Sequence, residues 1–233
     1  MREPALVADC VAAMRARVRI PVTVKMRIGV VERKERETAA SVADFNDGEF
    51  EALRQFVQGI EEAGCARAIV HARKAVLGGL SPKENRAVPP LRYDIVRQLK
   101  QQFPRLPIIV NGGFRNTPEV LGALSWSDGV MLGREAYHRP FVLAELHLAL
   151  HPEAAQKPIV RGALLERMAC YAERELAQGT RLAAITRHML GLYGGEPGAR
   201  EFRRVLSHTA HAPGAHAQLI REAGRVFVGV PRD

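Results

Sequence analysis

Four short apolar runs punctuate the chain: Val22-Thr23-Val24-Lys25-Met26-Arg27, Ala68-Ile69-Val70-His71-Ala72-Arg73, Pro107-Ile108-Ile109-Val110-Asn111-Gly112-Gly113 and Gly129-Val130-Met131-Leu132-Gly133-Arg134. They are continuous and β-rich rather than alternating, the pattern of parallel strands covered on both faces. Helical patterns fill the intervals at about 3–17, 48–63, 92–102, 117–124 and 139–150. Thr117-Pro118-Glu119 reads as an N-cap followed by proline in the first turn. A strand–helix alternation implies right-handed parallel crossovers, hence an α/β sheet or barrel.

The predicted architecture is a partial TIM barrel of about four β/α units over residues 1–150. An eight-stranded barrel needs about four strands more. From about residue 151 the pattern is helical only, at about 158–177, 180–192, 198–208 and 213–227. Breaks at Gly179, Gly194-Gly195 and Gly214 separate these stretches. Leu164, Leu165, Met168 and Tyr171 recur at helical spacing as core positions. The expectation is an all-α helical bundle over residues 151–233. The segment from Val30 to Gly48 is polar and charged and is expected to be a mobile loop. No internal repeat is present.

Composition narrows the function classes. Hydrophobic residues make up 47% of the chain, enough for a real core. No apolar run approaches the length of a membrane span. The start, Met1-Arg2-Glu3-Pro4, lacks the basic-then-apolar layout of a signal peptide, so the expected setting is the cytoplasm. Cys10, Cys65 and Cys170 are far apart, which argues against a disulfide framework and a metal site alike. The formal net charge is +9, carried by 28 Arg and 6 Lys against 25 acidic residues. That balance favours a polyanionic partner, RNA first. The helical half alone holds 12 basic and 8 acidic residues.

The four runs end in polar or glycine residues, and in a TIM barrel those ends carry the active site. Asn111-Gly112-Gly113 and Gly133-Arg134 stand at successive strand ends. Each alone fits an ordinary turn. Together they fit a phosphate cradle, because glycine lets backbone amides approach an anion and arginine adds a bidentate contact. Lys25 sits inside an apolar strand, where it either snorkels to a salt bridge or faces a ligand. His71 is either a hydrogen-bonded structural histidine or a ligand-facing group. Arg73, Lys74, Lys83 and Arg86 lie in a connection from His71 to Leu91 that is too long for an ordinary βα loop. They suit either solvent or a phosphate backbone. Arg200 and Arg203 share a helix face at i, i+3, again solvated or in contact with RNA.

These motifs occur in an ordered set: Ile69-Val70-His71-Ala72-Arg73-Lys74, Gly79-Leu80-Ser81-Pro82-Lys83-Glu84-Asn85-Arg86, Pro89-Pro90-Leu91-Arg92-Tyr93, Asp128-Gly129-Val130-Met131-Leu132-Gly133-Arg134-Glu135-Ala136-Tyr137, Ile185-Thr186-Arg187-His188-Met189-Leu190-Gly191-Leu192 and Pro197-Gly198-Ala199-Arg200. The set resembles the A-type tRNA-dihydrouridine synthases, a family associated with D-loop uridines 20 and 20a. The resemblance implies a flavin-binding TIM barrel followed by a helical tRNA-binding domain. It implies FMN as cofactor, NADPH as reductant and tRNA as substrate, with uridine reduced to 5,6-dihydrouridine. By matching position, Lys25, His71, Asn111, Gly112, Gly113, Gly133 and Arg134 are expected to be FMN ligands. Lys83, Arg86, Arg200 and Arg203 are expected to be tRNA contacts.

One element of the family pattern has no match here. The family's proton donor is a cysteine in a loop after the fourth barrel strand, and none of Cys10, Cys65 and Cys170 corresponds to it. The chain is therefore expected to match the C-terminal portion of the family, with the donor cysteine upstream of Met1 and no catalytic acid within it. Expressed alone it is expected to be inactive and poorly folded. Two other readings remain: a different FMN- or phosphate-binding barrel oxidoreductase, such as a dihydroorotate dehydrogenase-like enzyme, and a non-catalytic tRNA-binding fragment. Oligomeric state is not legible.

Overall fold

A computed structural model describes residues 1–32 and 44–225. By its contacts the chain divides into two compact units, Met1–Leu132 and Gly133–Asp233. The division falls ahead of residue 151, where the sequence turns purely helical, so the last two helices before that point group with the second unit.

In the first unit, strands β1 (Thr23–Glu32), β2 (Arg67–Leu77), β3 (Ile108–Asn111) and β4 (Gly129–Met131) form one sheet in the order β1-β2-β3-β4. All three pairings are parallel, as the strand–helix alternation predicts. Helices α1 (Pro4–Arg17), α2 (Asp47–Glu62), α3 (Tyr93–Gln102) and α4 (Thr117–Leu124) supply the crossovers. Alternate residues of a strand point to opposite faces. One face carries Met26 and Ile28, Ala68 and Val70, Ile108 and Val110, all buried with Leu53, Phe56, Val57 and Ile60 of α2 and Ile95, Val96 and Leu99 of α3. Each such aliphatic burial stabilises by about 1.5–3 kcal/mol relative to exposure. The other face is more polar, and two of its rows matter below. Lys25 pairs with Ile69, which pairs with Ile109, which pairs with Gly129. One step further along the strands, Arg27 pairs with His71, His71 with Asn111 and Asn111 with Met131.

Local chemistry sets the helix starts. Asn46 and Glu49 form a reciprocal capping box at α2, the Asn46 side chain accepting from the Glu49 amide at 2.9 Å and Glu49 accepting from the Asn46 amide at 3.0 Å. Asn116, rather than Thr117, caps α4, accepting from the Glu119 amide at 3.0 Å with Pro118 in the first turn.

Two strand boundaries differ from the sequence reading. β1 runs on through Glu32, so the start of the segment expected to be a loop is strand; residues 33–43 of that segment lie outside the described residues. Lys25 is consequently the third residue of a ten-residue strand rather than its end. β2 runs to Leu77 and takes Arg73 and Lys74 into the strand. The register with β1 shifts between Arg27 and Gly29, where β2 holds one extra residue, a bulge. A bulge bends a strand and re-aims its side chains, and here His71, Ala72, Arg73 and Lys74 are all buried.

The described residues of the second unit are helical or turn: α5 (Arg134–His138), α6 (Val142–Leu150), α7 (Arg161–Ala177), α8 (Leu182–Thr186), α9 (Ala199–His208) and α10 (Gln218–Arg225). Phe202, Leu206, Ile220, Ala169, Ala172 and Ala223 form its fully buried centre. The helix expected over 139–150 begins at Val142, and the short α5 ahead of it ends at His138, where Pro140 has no amide proton with which to carry it on. The helix expected over 180–192 stops at Thr186 and gives way to turns. A side chain at Gly191 would stand 1.9 Å from the His138 carbonyl oxygen, so this segment is built around a close backbone approach that a regular helix with side chains would block.

Candidate cofactor and RNA-binding site

The first unit brings several of the sequence-identified residues together at the ends of its strands. Asn111 closes β3, and its side-chain amide donates to the Met131 carbonyl of β4 at 2.7 Å, which fixes the amide plane. Gly112 and Gly113 follow with φ of +123° and +79°, conformations that a side chain strains. A Cβ on Gly112 would lie 2.8 Å from the His71 ring and 2.8 Å from Leu91. One on Gly113 would lie 2.5 Å from Leu91 and 3.1 Å from the Tyr93 hydroxyl. The glycine turn and the His71 ring are thus in direct contact, and Tyr93 donates a hydrogen bond to the Gly112 carbonyl. The Tyr93 ring stacks on Phe114 at 5.3 Å, and burial raises its hydroxyl pKa. These contacts make both glycines a packing requirement whatever they bind.

Arg27 occupies the same row as His71 and Asn111. It was not among the residues expected at the site, and its i+2 spacing from Lys25 on one strand, which places both on one face, is the signal the sequence holds for it. Its Nη1 donates to the Lys74 carbonyl at 2.7 Å and the Asn85 carbonyl at 2.9 Å. Burial first, then the charges of Arg73 and Arg86, lower its pKa. Arg27, Arg73 and Arg86 therefore share one electrostatic neighbourhood. Lys25 lies one row back, exposed; the desolvation it does feel, and then Arg27, lower its pKa.

Arg73 and Lys74 face the protein rather than the solvent or phosphate expected of them. Arg73 is 9% exposed and donates to the Ala87 carbonyl at 3.1 Å. Lys74, 5% exposed, pairs with Glu49 at 2.5 Å, donates to the Asp44 carbonyl and stands 5.2 Å from the Phe45 ring centre. Lys83 and Arg86 are exposed on and beside a single 3-10 turn, Glu84–Arg86.

In the second unit, Gly133 is the N-cap of α5 with φ of −115°, and nothing lies within 4 Å of a Cβ built on it. Its glycine identity is not demanded by its own surroundings, unlike that of Gly112. Arg134 opens α5 and is exposed. On α9, Arg200 and Arg203 are exposed, while Phe202 and Leu206 turn into the core. Arg204 on the same helix is engaged by Glu201 at 2.5 Å. Among the described residues Arg200 and Arg203 make no ion pair.

None of the three cysteines stands in the strand-end row. Cys10 is exposed on α1, Cys65 is buried ahead of β2 with its thiol pKa raised by burial, and Cys170 is half-buried on α7. No helix among the described residues is long and apolar enough to cross a membrane.

The family described as dihydrouridine synthase (Dus) matches residues 1–225. The chain is 48% identical over 227 residues to a tRNA-dihydrouridine(20/20a) synthase of Xanthomonas campestris pv. campestris, covering 97% of this chain and 62% of that protein. It is 48% identical over 225 residues to the protein of the same name in Vibrio cholerae, covering 96% and 64%. A third, from Yersinia pestis, is 48% identical over 225 residues, covering 96% and 61%. The chain thus spans about three-fifths of the length of the relatives it matches. With the family matched from the first residue to Arg225 and nearly half of the residues identical in each relative, this chain belongs to the dihydrouridine synthase family.

Proposed function

We propose that this chain contributes the flavin-binding and tRNA-binding surfaces of a tRNA-dihydrouridine synthase of the 20/20a type. The observation that carries this reading is the row Arg27–His71–Asn111, continued by the Gly112-Gly113 turn. It sets two cation-capable side chains, a fixed amide and a pair of glycine peptides at one end of a parallel sheet, where a barrel fold holds its ligand. These groups fit a flavin phosphate: glycine peptides present amides to an anion without a Cβ in the way, and Arg27 supplies positive charge. FMN, when bound, supplies the hydride that reduces uracil at C6. Lys25 and His71 are the residues assigned to the flavin ring, and Asn111, Gly112 and Gly113 to its phosphate. Gly133 and Arg134 are assigned to FMN from the resemblance. NADPH is assigned as the reductant on the same basis.

Reduction also needs a proton at C5 of the uracil. Cys10, Cys65 and Cys170 all stand away from the strand-end row, so none of them is assigned as the donor of this proton. The target base must leave its stack to reach the ring, which makes the grip on the RNA backbone part of the reaction. Lys83 and Arg86 in residues 1–150, and Arg200 and Arg203 in the helical part from 151 to 233, are assigned to that grip. Residues 1–150 then form part of a flavin TIM barrel, working in a soluble, cytoplasmic enzyme.

The test is flavin and RNA binding by the 233-residue chain. FMN titration should give saturable binding that Gly112→Val removes, and tRNA should bind with a steep salt dependence. Saturable FMN binding with no tRNA affinity at low salt would instead indicate another flavin oxidoreductase of the same barrel class. tRNA binding without FMN binding would indicate a tRNA-binding chain with no catalysis of its own. That second reading is favoured by the positions of the three cysteines.

A further inference from the structure

The connection from β2 to α3 is long, and Gly78 and Gly79, with φ of +81° and +70°, open it without stiffness of their own. It is nevertheless tied down along its length. The Arg92 amide donates to the Ala72 carbonyl at 2.8 Å and closes its base. Arg73 reaches the Ala87 carbonyl at 3.1 Å. Ser81 and Glu84 bond reciprocally, the Ser81 amide to the Glu84 carboxylate at 2.8 Å and the Glu84 amide to the Ser81 hydroxyl at 3.2 Å. Asn85 makes the central tie. Its side-chain oxygen accepts from the Val76 amide at 2.8 Å and its side-chain nitrogen donates to the Val76 carbonyl at 2.7 Å. Its own carbonyl accepts from Arg27 at 2.9 Å.

We propose that Asn85 is a positioning residue for RNA recognition: it splices the basic turn Lys83–Arg86 onto the end of β2, so that Lys83 and Arg86 are held in place before the polyanion arrives. This rests on the reading of tRNA as the ligand. A carboxamide offers a donor and an acceptor in one plane, as a peptide unit does, so Asn85 takes both main-chain groups of Val76 as a neighbouring strand would. Lys83 and Arg86 flank Asn85 on and beside one short 3-10 turn and are exposed, so where Asn85 is fixed they are fixed at their backbone. A turn ordered beforehand does not lose its freedom at the moment of binding, and affinity rises accordingly. Arg27 and Asn85 also join this turn to the row that holds His71 and Asn111.

A double-mutant cycle on the 233-residue chain tests this, with tRNA affinity read by fluorescence anisotropy over a salt series. Lys83→Ala with Arg86→Ala is expected to weaken binding and to lower the slope of log K against log salt by about 1.8, two phosphate contacts at about 0.9 each. Asn85→Ala is expected to reproduce most of that loss with both cations still in the sequence. In the Asn85→Ala background, removing the two cations is expected to cost little more. Full additivity overturns the proposal, because cations that work equally well without Asn85 are not positioned by it. Hydrogen exchange supplies a reading independent of RNA and of global unfolding. The Val76 amide is expected to exchange about tenfold faster in Asn85→Ala and to keep more of its protection in Asn85→Asp, which retains the acceptor. Equal exchange in wild type and Asn85→Ala also overturns it. If the wild-type chain binds no tRNA, the functional reading falls and this inference with it; if it binds and the cycle is additive, only this inference falls.

Discussion

The two units differ in how they hold the cations nearest their candidate sites. In the first, Arg27, Arg73 and Lys74 are drawn into the protein and held by main-chain carbonyls from distant segments or by Glu49. In the second, Arg161 is the drawn-in exception, stacked on Phe141 at 3.6 Å and paired with Glu196 at 2.8 Å, while other charges lie nearer the surface: Arg221 is split between Glu166 at 2.6 Å and Glu173 at 2.7 Å, Arg204 is engaged by Glu201, and Arg200 and Arg203 remain for solvent or a ligand. A buried cation needs its partners fixed before any ligand arrives, so it can define a precise pocket. An exposed cation without a partner is held by little, so it suits a polyanion met by charge rather than by shape. The first arrangement fits a small cofactor, the second an extended RNA backbone.

The largest expected effect tests where the second unit's stability resides. Phe202 is fully buried at its centre, so Phe202→Ala should cost about 3–5 kcal/mol. The check is denaturant unfolding combined with hydrogen exchange, which should show lost protection in α7, α9 and α10. A loss below about 1 kcal/mol would mean that the helices are held by their ion pairs instead.

The next effect contrasts two glycines. Gly112→Val places a β-branched residue at φ +123° against the His71 ring and Leu91, and should both destabilise the fold and abolish FMN binding. Gly133→Val meets open space at a negative φ, so it should leave the melting temperature unchanged while FMN binding falls. Parallel thermal melts and flavin titrations read both variants. Full flavin binding by Gly133→Val would remove Gly133 from the site.

Glu49→Ala probes the buried cations. It leaves Lys74 with a main-chain carbonyl but no counter-charge and also breaks the α2 capping box. Glu49 is itself partly exposed, so the expected cost is below the fully buried range, about 2–3 kcal/mol by urea denaturation. Glu201→Ala in the second unit should cost less than about 1 kcal/mol, because its pair with Arg204 is solvated. Equal costs would erase the contrast between the units.

A smaller effect separates RNA from cofactor. Arg200→Ala with Arg203→Ala should reduce the salt slope of tRNA binding by about 1.8 and leave flavin content unaltered. An unchanged slope would make this a solvated helix face. The smallest effect concerns Lys25, whose pKa is lowered by burial and by Arg27. Its cationic form is complete below that lowered pKa and is lost as pH rises through it, earlier than for an ordinary lysine. FMN affinity should therefore begin to fall at a lower alkaline pH in wild type than in Lys25→Arg, read by titration across an alkaline pH series.

What was legible in the sequence follows the same division. The parallel four-stranded sheet, the helix positions of the first unit and the Asn111-Gly112-Gly113 turn were legible, because each depends on local pattern or on the special backbone of glycine. The fates of Arg73 and Lys74 were not. As charged residues at the end of an apolar run they look like the start of a loop, yet they are strand. What buries them is the carbonyl of Ala87 in one case and Glu49 with Asp44 in the other, partners that only the fold brings near. The place of Arg27 was not legible either, because the carbonyls of Lys74 and Asn85 that hold it lie far along the chain. The end of α8 at Thr186 was hidden because the close approach at Gly191 involves the distant carbonyl of His138.

The Asn85 tie has a consequence for how this loop can vary in length. Sheet hydrogen bonds constrain a chain along every residue of a ladder, whereas here a few ties hold the excursion, with Asn85 the central one. The stretch from Gly78 to Leu80 is joined to the fold mainly through its ends, whereas on the other side Pro89 is buried and the Val88 amide bonds the Glu84 carbonyl. Residues can therefore be added or removed between Gly78 and Leu80 without moving the anchored turn, and insertions placed there should be tolerated where insertions between Lys83 and Pro89 are not. The loop is in this sense modular on one side: its recognition element is fixed, and its leading spacer is free to drift.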